Sequence, residues 1–212
     1  MEVTSSQLYL CTDARARQGD FAQFVDAAFA GGVDIIQLRD KTLEAASQLG
    51  VLDVLKEAAE RHGKLWAVND SADVAAHSDS PILHLGQDDL PLRAARVLLG
   101  PDVALGLSTH TTDQIDEART NPDADYFCVG PVWATPTKPG RKAVGTDLLH
   151  YAATATRRDR TWFAIGGIDL TNVTQVIDSG ARRIVVVRAI TEAKEPFAAA
   201  QALRGALPSL SS

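Results

Sequence analysis

Apolar and polar positions in this chain fall into blocks that recur from one end to the other. A short apolar run rich in β-formers gives way to a polar turn. An alanine-rich stretch with apolar positions at helical spacing follows, and a Gly- or Asp-containing turn leads into the next apolar run. The runs predict strands at 7–11, 33–38, 64–69, 82–86, 103–108, 125–130, 162–167 and 183–187. The stretches between and after them predict helices over roughly 18–30, 42–62, 71–77, 91–99, 111–120, 147–157, 169–179 and 193–206. Several strands are announced alike, by GGVD, NPDAD and SGAR, which is how a helix passes straight into a strand in an α/β protein.

Eight such units in 212 residues, with strands apolar on both faces, predict an α/β fold of the compact (β/α)8 TIM-barrel type. An open doubly wound sheet is the rival, and no G-x-G-x-x-G follows the first strand to support it. Neither a linker nor a composition shift divides the chain, so 1–212 reads as a single domain. Composition narrows the function. A hydrophobic share of 45% supports one sizeable core, and a net charge of −6 argues against a nucleic-acid partner. There is no apolar run of membrane length and no charged-then-apolar leader, so no membrane partner is expected. Cys11 and Cys128 both fall inside predicted buried strands and read as core thiols of a cytoplasmic protein.

A barrel gathers its chemistry in the loops after the strands. After strand 2, Gln37, Arg39 and Lys41 share one side while Ile36 and Leu38 pack under the helices, so two cations and an amide converge on the barrel mouth and call for an anion. Asp70 and Asp89, after strands 3 and 4, fit either of two roles: carboxylates holding Mg²⁺ beside a substrate phosphate, or N-caps of the helices that follow. For Asp88 the N-cap is the better reading. Ser108 offers a hydroxyl to a ligand, whereas His110 at a helix start reads as a structural residue rather than a base. Gly166 and Gly167, with Val187 and Arg188 after strand 8, occupy the place where barrels commonly bind phosphate on backbone N–H groups.

The stretch from 124 to 142 completes the set. Its first half is a buried strand. Pro131, Pro136 and Pro139 end it and leave a long loop that carries Thr135, Thr137, Lys138, Arg141 and Lys142. A solvated basic loop and a phosphate-binding loop both fit this composition. Taken together, these residues give two anion-binding zones, suited to two phosphorylated ligands or one bisphosphate.

In their order along the chain, QLRDK at 37–41, VND at 68–70, HLGQDD at 84–89, GLSTHT at 106–111, GPVWATPTK at 130–138 and IGGI at 165–168 resemble the thiamine phosphate synthase family. The likeness runs from LYLCTD at 8–13 to VVVRAI at 185–190. The resemblance implies a transferase of thiamine biosynthesis that joins a pyrimidine diphosphate to a thiazole phosphate. It implies that Gln37, Leu38, Arg39, Asp40, Lys41, Asn69, Ser108 and Lys138 hold the pyrimidine diphosphate. Thr135, Pro136, Thr137, Gly167, Val187 and Arg188 would hold the thiazole phosphate, and Asp70 and Asp89 one Mg²⁺. Catalysis would fall to Arg39, Lys41, Ser108 and Lys138 through dissociative loss of diphosphate, which needs no general base. Two departures stand out: Arg188 replaces a small Ser found in many members, and the loop after Lys41 is short. A thiazole tautomerase-like isomerase and a non-catalytic ligand-binding regulator are the alternatives on the same barrel. Assembly into a homo-oligomer stays open.

Overall fold

The computed structural model describes residues 2–135, 142–156 and 160–210. After a 3-10 turn at Val3–Ser5, strand and helix alternate: β1 Leu8–Thr12, α1 Phe21–Ala30, β2 Ile35–Leu38, α2 Ala45–His62, β3 Leu65–Asn69 and α3 Ala72–His77. The alternation continues with β4 Ile82–Leu85, α4 Leu92–Leu99, β5 Ala104–Thr109, α5 Thr112–Thr120, β6 Tyr126–Val129 and α6 Gly145–Ala155. It ends with β7 Thr161–Ile165, α7 Val173–Asp178, β8 Ile184–Val186, α8 Arg188–Thr191 and α9 Pro196–Ala206. All eight strands pair in parallel with their sequence neighbours, and β8 closes on β1. This is the (β/α)8 barrel that the block pattern predicts.

Where the elements depart from expectation, local bonds explain it. The helix expected from 169 begins only at Val173, because residues 169–172 form a bonded turn. Asp169 accepts from the Thr171 N–H and hydroxyl, and its own N–H donates to the Asn172 side chain. The single-turn α8, which the pattern does not announce, turns directly off β8. Pro196 then starts α9, as suits a residue with no N–H to leave unpaired.

Two apolar layers follow from strand alternation. Ile36 and Leu38 of β2 lie in the layer between barrel and helices. Tyr9, Cys11, Ile35, Tyr126, Cys128 and Phe163 belong to the barrel interior. At the N-terminal mouth the buried Asp34 accepts from the Gln7 and Leu8 N–H groups at 2.9 and 3.1 Å. It also pairs with Lys64 at 2.7 Å and Arg204 at 3.7 Å, so one carboxylate ties β1 to β2, β3 and α9.

Candidate active site

A cavity of about 240 Å³ opens at the C-terminal end of the barrel. Its floor is formed by the inward residues of the strands, and its walls by the loops that follow them. Gln37, Arg39, Asn69, Ser108, Thr135, Gly167, Val187 and Arg188 all line it. The alternation read in β2 therefore holds: Gln37 points inward and Leu38 does not. Leu38 is fully buried under the helices, so only its backbone is available to a ligand. Asp40 reaches the same strand end, but its carboxylate is occupied by the Ala14 and Thr42 N–H groups and the Thr42 hydroxyl. Its side chain shapes the loop. Pro136, Thr137 and Lys138 lie outside the described residues.

Beside the cavity, Asp70 and Asp89 meet in one cluster with Lys41. The Lys41 ammonium lies 3.1 Å from Asp70 Oδ2, and the Asp89 carboxyl is close enough for each carboxyl to shift the other's pKa. Asp70 adopts φ 62°, a left-handed conformation that a non-glycine residue enters only when its surroundings impose it. Neither carboxylate caps a helix: α3 and α4 have Ser71 and Pro91 at their N-caps, without a side-chain cap bond. Asp89 instead accepts from the Gly86 N–H at 2.6 Å, and Asp88 is exposed. Burial pushes the Asp70 carboxyl up, but bonds from Asp89, Lys41 and Asn69 outweigh it and hold it below the ordinary range. For Asp89, burial is the largest cause and the neighbouring Asp70 charge adds to it, so its carboxyl is pushed up despite the Gly86 N–H. Two neighbouring carboxylates at the ends of adjacent strands suit a hard cation. Among the described residues no third His, Cys, Asp or Glu joins them, so ligand phosphate or water would complete an octahedral sphere.

The opposite wall is built by the loop after β6. The Val132 and Trp133 N–H groups donate to the Ile165 and Gly166 carbonyls, which lays this loop along the end of β7 and brings Thr135 beside Gly167. Gly167 takes φ 68°, and a Cβ there would stand 3.0 Å from Trp133 Cβ, so both conformation and space favour glycine. Arg39 and Arg188 both line the cavity, and neither forms an ion pair among the described residues. The His110 ring is bonded to the Gly130 carbonyl, its backbone N–H donates to Gln114 Oε1, and the residue lines the cavity wall.

Reading residues strand by strand misses the polar system under the floor. His84 is buried on the inward face of β4, between Tyr126 and Ser108. A histidine inside the apolar strand ILHL is the signal that could have found it. Tyr9 and Tyr126 read from sequence as plain core aromatics.

Comparison with known proteins agrees with this geometry. The family model described as thiamine monophosphate synthase matches residues 8–190. A thiamine-phosphate synthase of Arthrobacter sp. (strain FB24) is 59% identical, over 97% of this chain and 95% of its own. That of Streptomyces avermitilis is 60% identical over 94% and 92%. The solved structure of a thiamine phosphate pyrophosphorylase from Pyrococcus furiosus superposes with a TM-score of 0.85 at 27% identity, covering 96% of both chains. The motifs, the closed barrel and these matches agree: the chain belongs to the thiamine monophosphate synthase family.

Proposed function

We propose that this chain condenses 4-amino-2-methyl-5-(diphosphooxymethyl)pyrimidine with 4-methyl-5-(2-phosphooxyethyl)thiazole, giving thiamine phosphate and diphosphate, by a Mg²⁺-dependent dissociative route. One barrel domain, 1–212, carries both substrates. The observation that carries the reading is the cavity's division. A cation and carboxylate cluster (Arg39, Lys41, Asp70, Asp89) stands on one side, and the Thr135, Gly167 and Arg188 wall on the other.

Gln37, Asn69 and Ser108 hold the pyrimidine, and Arg39, Lys41 and Lys138 take the diphosphate. Thr135, Thr137 and the backbone at Gly167, Val187 and Arg188 take the thiazole phosphate. Asp70 and Asp89 would hold Mg²⁺, which would supply positive charge to the departing diphosphate oxygens. Arg39 adds a planar, permanently charged donor whose bonds strengthen as charge grows on the leaving group. Diphosphate loss leaves a pyrimidine-methyl cation stabilised by the ring amino group, and the thiazole nitrogen attacks it without a proton to remove. The carboxylate pair beside Lys41 favours this reading over a tautomerase-like isomerase or an idle regulator, neither of which needs a metal–diphosphate site. Buried thiols at Cys11 and Cys128 suit a cytoplasmic setting, and no helix among the described residues is long and apolar enough to cross a membrane.

The test is diphosphate release from the two substrates with and without Mg²⁺. Release from both together, abolished by chelation, is the expected result; no release would end the reading. Asp89→Ala should raise the Mg²⁺ concentration for half-maximal rate by roughly 10–100-fold, as for losing a group that holds a metal, while the exposed Asp88→Ala leaves it unchanged. His110→Gln is expected to keep most of its turnover and the same pH–rate profile. A fall by about 10²–10⁴ would make His110 an acid or base after all.

A further inference from the structure

Six buried side chains form a hydrogen-bonded line across the barrel beneath the cavity. Cys11 Sγ lies 3.2 Å from Gln37 Oε1, and Gln37 Nε2 lies 3.0 Å from the Tyr9 hydroxyl. The Tyr9 and Tyr126 hydroxyls are 3.2 Å apart. His84 Nδ1 is 3.1 Å from the Tyr126 hydroxyl, and its Nε2 is 3.0 Å from Ser108 Oγ. Five strands contribute, and the space is made for it: a Cβ on Gly106 would overlap the Tyr126 ring. Phe163 packs edge-on against both tyrosines and holds the phenols in line.

Each group between the ends can donate once along the line, so one orientation fixes all the others. The Cys11 thiol has a proton to give and turns the Gln37 carbonyl oxygen toward itself. The Gln37 amide N–H then donates to Tyr9, whose own proton must pass to Tyr126, and that of Tyr126 to His84 Nδ1. His84 is left with its proton on Nε2, donated to Ser108 Oγ. The Ser108 proton has then no place in the line and faces the cavity. Turning the Gln37 amide over would reverse every bond, make Ser108 the donor to His84 Nε2 and leave it only an acceptor toward the cavity.

We propose that Cys11, Gln37, Tyr9, Tyr126 and His84 form a one-way hydrogen-bond relay that fixes the Ser108 hydroxyl as a donor toward the substrate. The site therefore takes a ring nitrogen or another acceptor at that point, a consequence that rests on the pyrimidine reading above. Tyr9, Tyr126 and His84 are positioning residues in this scheme. Both phenols stay protonated, since burial first and their neighbours second push them well above the ordinary value.

The tautomer of His84 tests the relay in the free protein. Nitrogen-15 NMR of labelled histidine, with the His84 signal assigned by its loss in His84→Gln, is expected to place the proton on Nε2. A proton on Nδ1, on both nitrogens, or shared between tautomers in the wild type overturns the proposal without any variant having to fold. Tyr126→Phe should mix the tautomers and raise the KM for the pyrimidine diphosphate up to about tenfold, the worth of one neutral hydrogen bond, with the thiazole-phosphate KM unchanged. Cys11→Ala should also mix the tautomers, because nothing then selects the Gln37 orientation. Unchanged tautomer and KM values in either variant count against the relay. Because the tautomer is read without substrate, a wild type that releases no diphosphate yet carries the Nε2 proton refutes the assigned reaction and leaves the relay standing.

Discussion

Arg39→Ala is expected to lower turnover by about 10²–10³-fold, the usual loss on removing one preorganised donor aimed at developing charge. The guanidinium is half-buried in the cavity wall and forms no ion pair among the described residues, so it is held ready for an anion rather than spent on a neighbour. On the proposed dissociative route charge would accumulate on the departing diphosphate, and a contact from Arg39 would be stronger in the transition state than in the bound substrate. The loss should therefore fall on kcat as well as on kcat/KM. Arg39→Lys should recover only part of it, since an ammonium keeps the charge but not the two parallel donors. Stopped-time assays of diphosphate release, with each substrate varied in turn, check this. A change confined to the thiazole-phosphate KM would move Arg39 to the other ligand, and a loss below about threefold would remove it from the chemistry.

The second large effect lies at the opposite end of the barrel and concerns stability alone. Asp34→Ala is expected to cost about 3–5 kcal/mol, the range for removing one partner of a buried ion pair. Asp34 is only 4% exposed, and Lys64, immediately before β3, stands 2.7 Å away. The alanine would leave that ammonium half-stranded, with the Gln7 and Leu8 N–H groups lacking their acceptor where β1 begins. Asp34→Asn keeps an oxygen for the backbone and should lose less. Urea unfolding gives the difference directly. Below the unfolding transition the KM values should stay those of the wild type, because the site is at the other mouth. A cost under about 1 kcal/mol would mean that water takes over as acceptor for the two N–H groups and the Lys64 ammonium.

The sequence alone determined the architecture, because the information is local. Apolar runs five or six residues long, each followed by a helix-period stretch, leave few ways to bury both faces of eight parallel strands, and closure into a barrel is the one found. The same local rule put Gln37 inward and Leu38 outward, since strand neighbours point to opposite faces. It also brought the loop residues from Arg39 to Arg188 to one mouth, because every βα loop leaves the same end of a barrel. Spacing left Asp70 and Asp89 open between metal ligand and N-cap, and the structure shows only that neither caps a helix.

Only the tertiary structure decided which inward side chains meet. Tyr9 and Tyr126 are 117 positions apart and Gln7 reaches Arg182 over 175, so no period in the chain encodes either contact. Barrel closure brings β1, β2, β4 and β6 around one axis, and only there do isolated tyrosines, a histidine and a thiol become a single bonded line. Asp70 illustrates the same limit at short range. Its left-handed turn and its place beside Asp89 depend on how β3 and β4 end side by side, and sequence spacing records the distance along the chain but not the direction in which a strand releases its next residue.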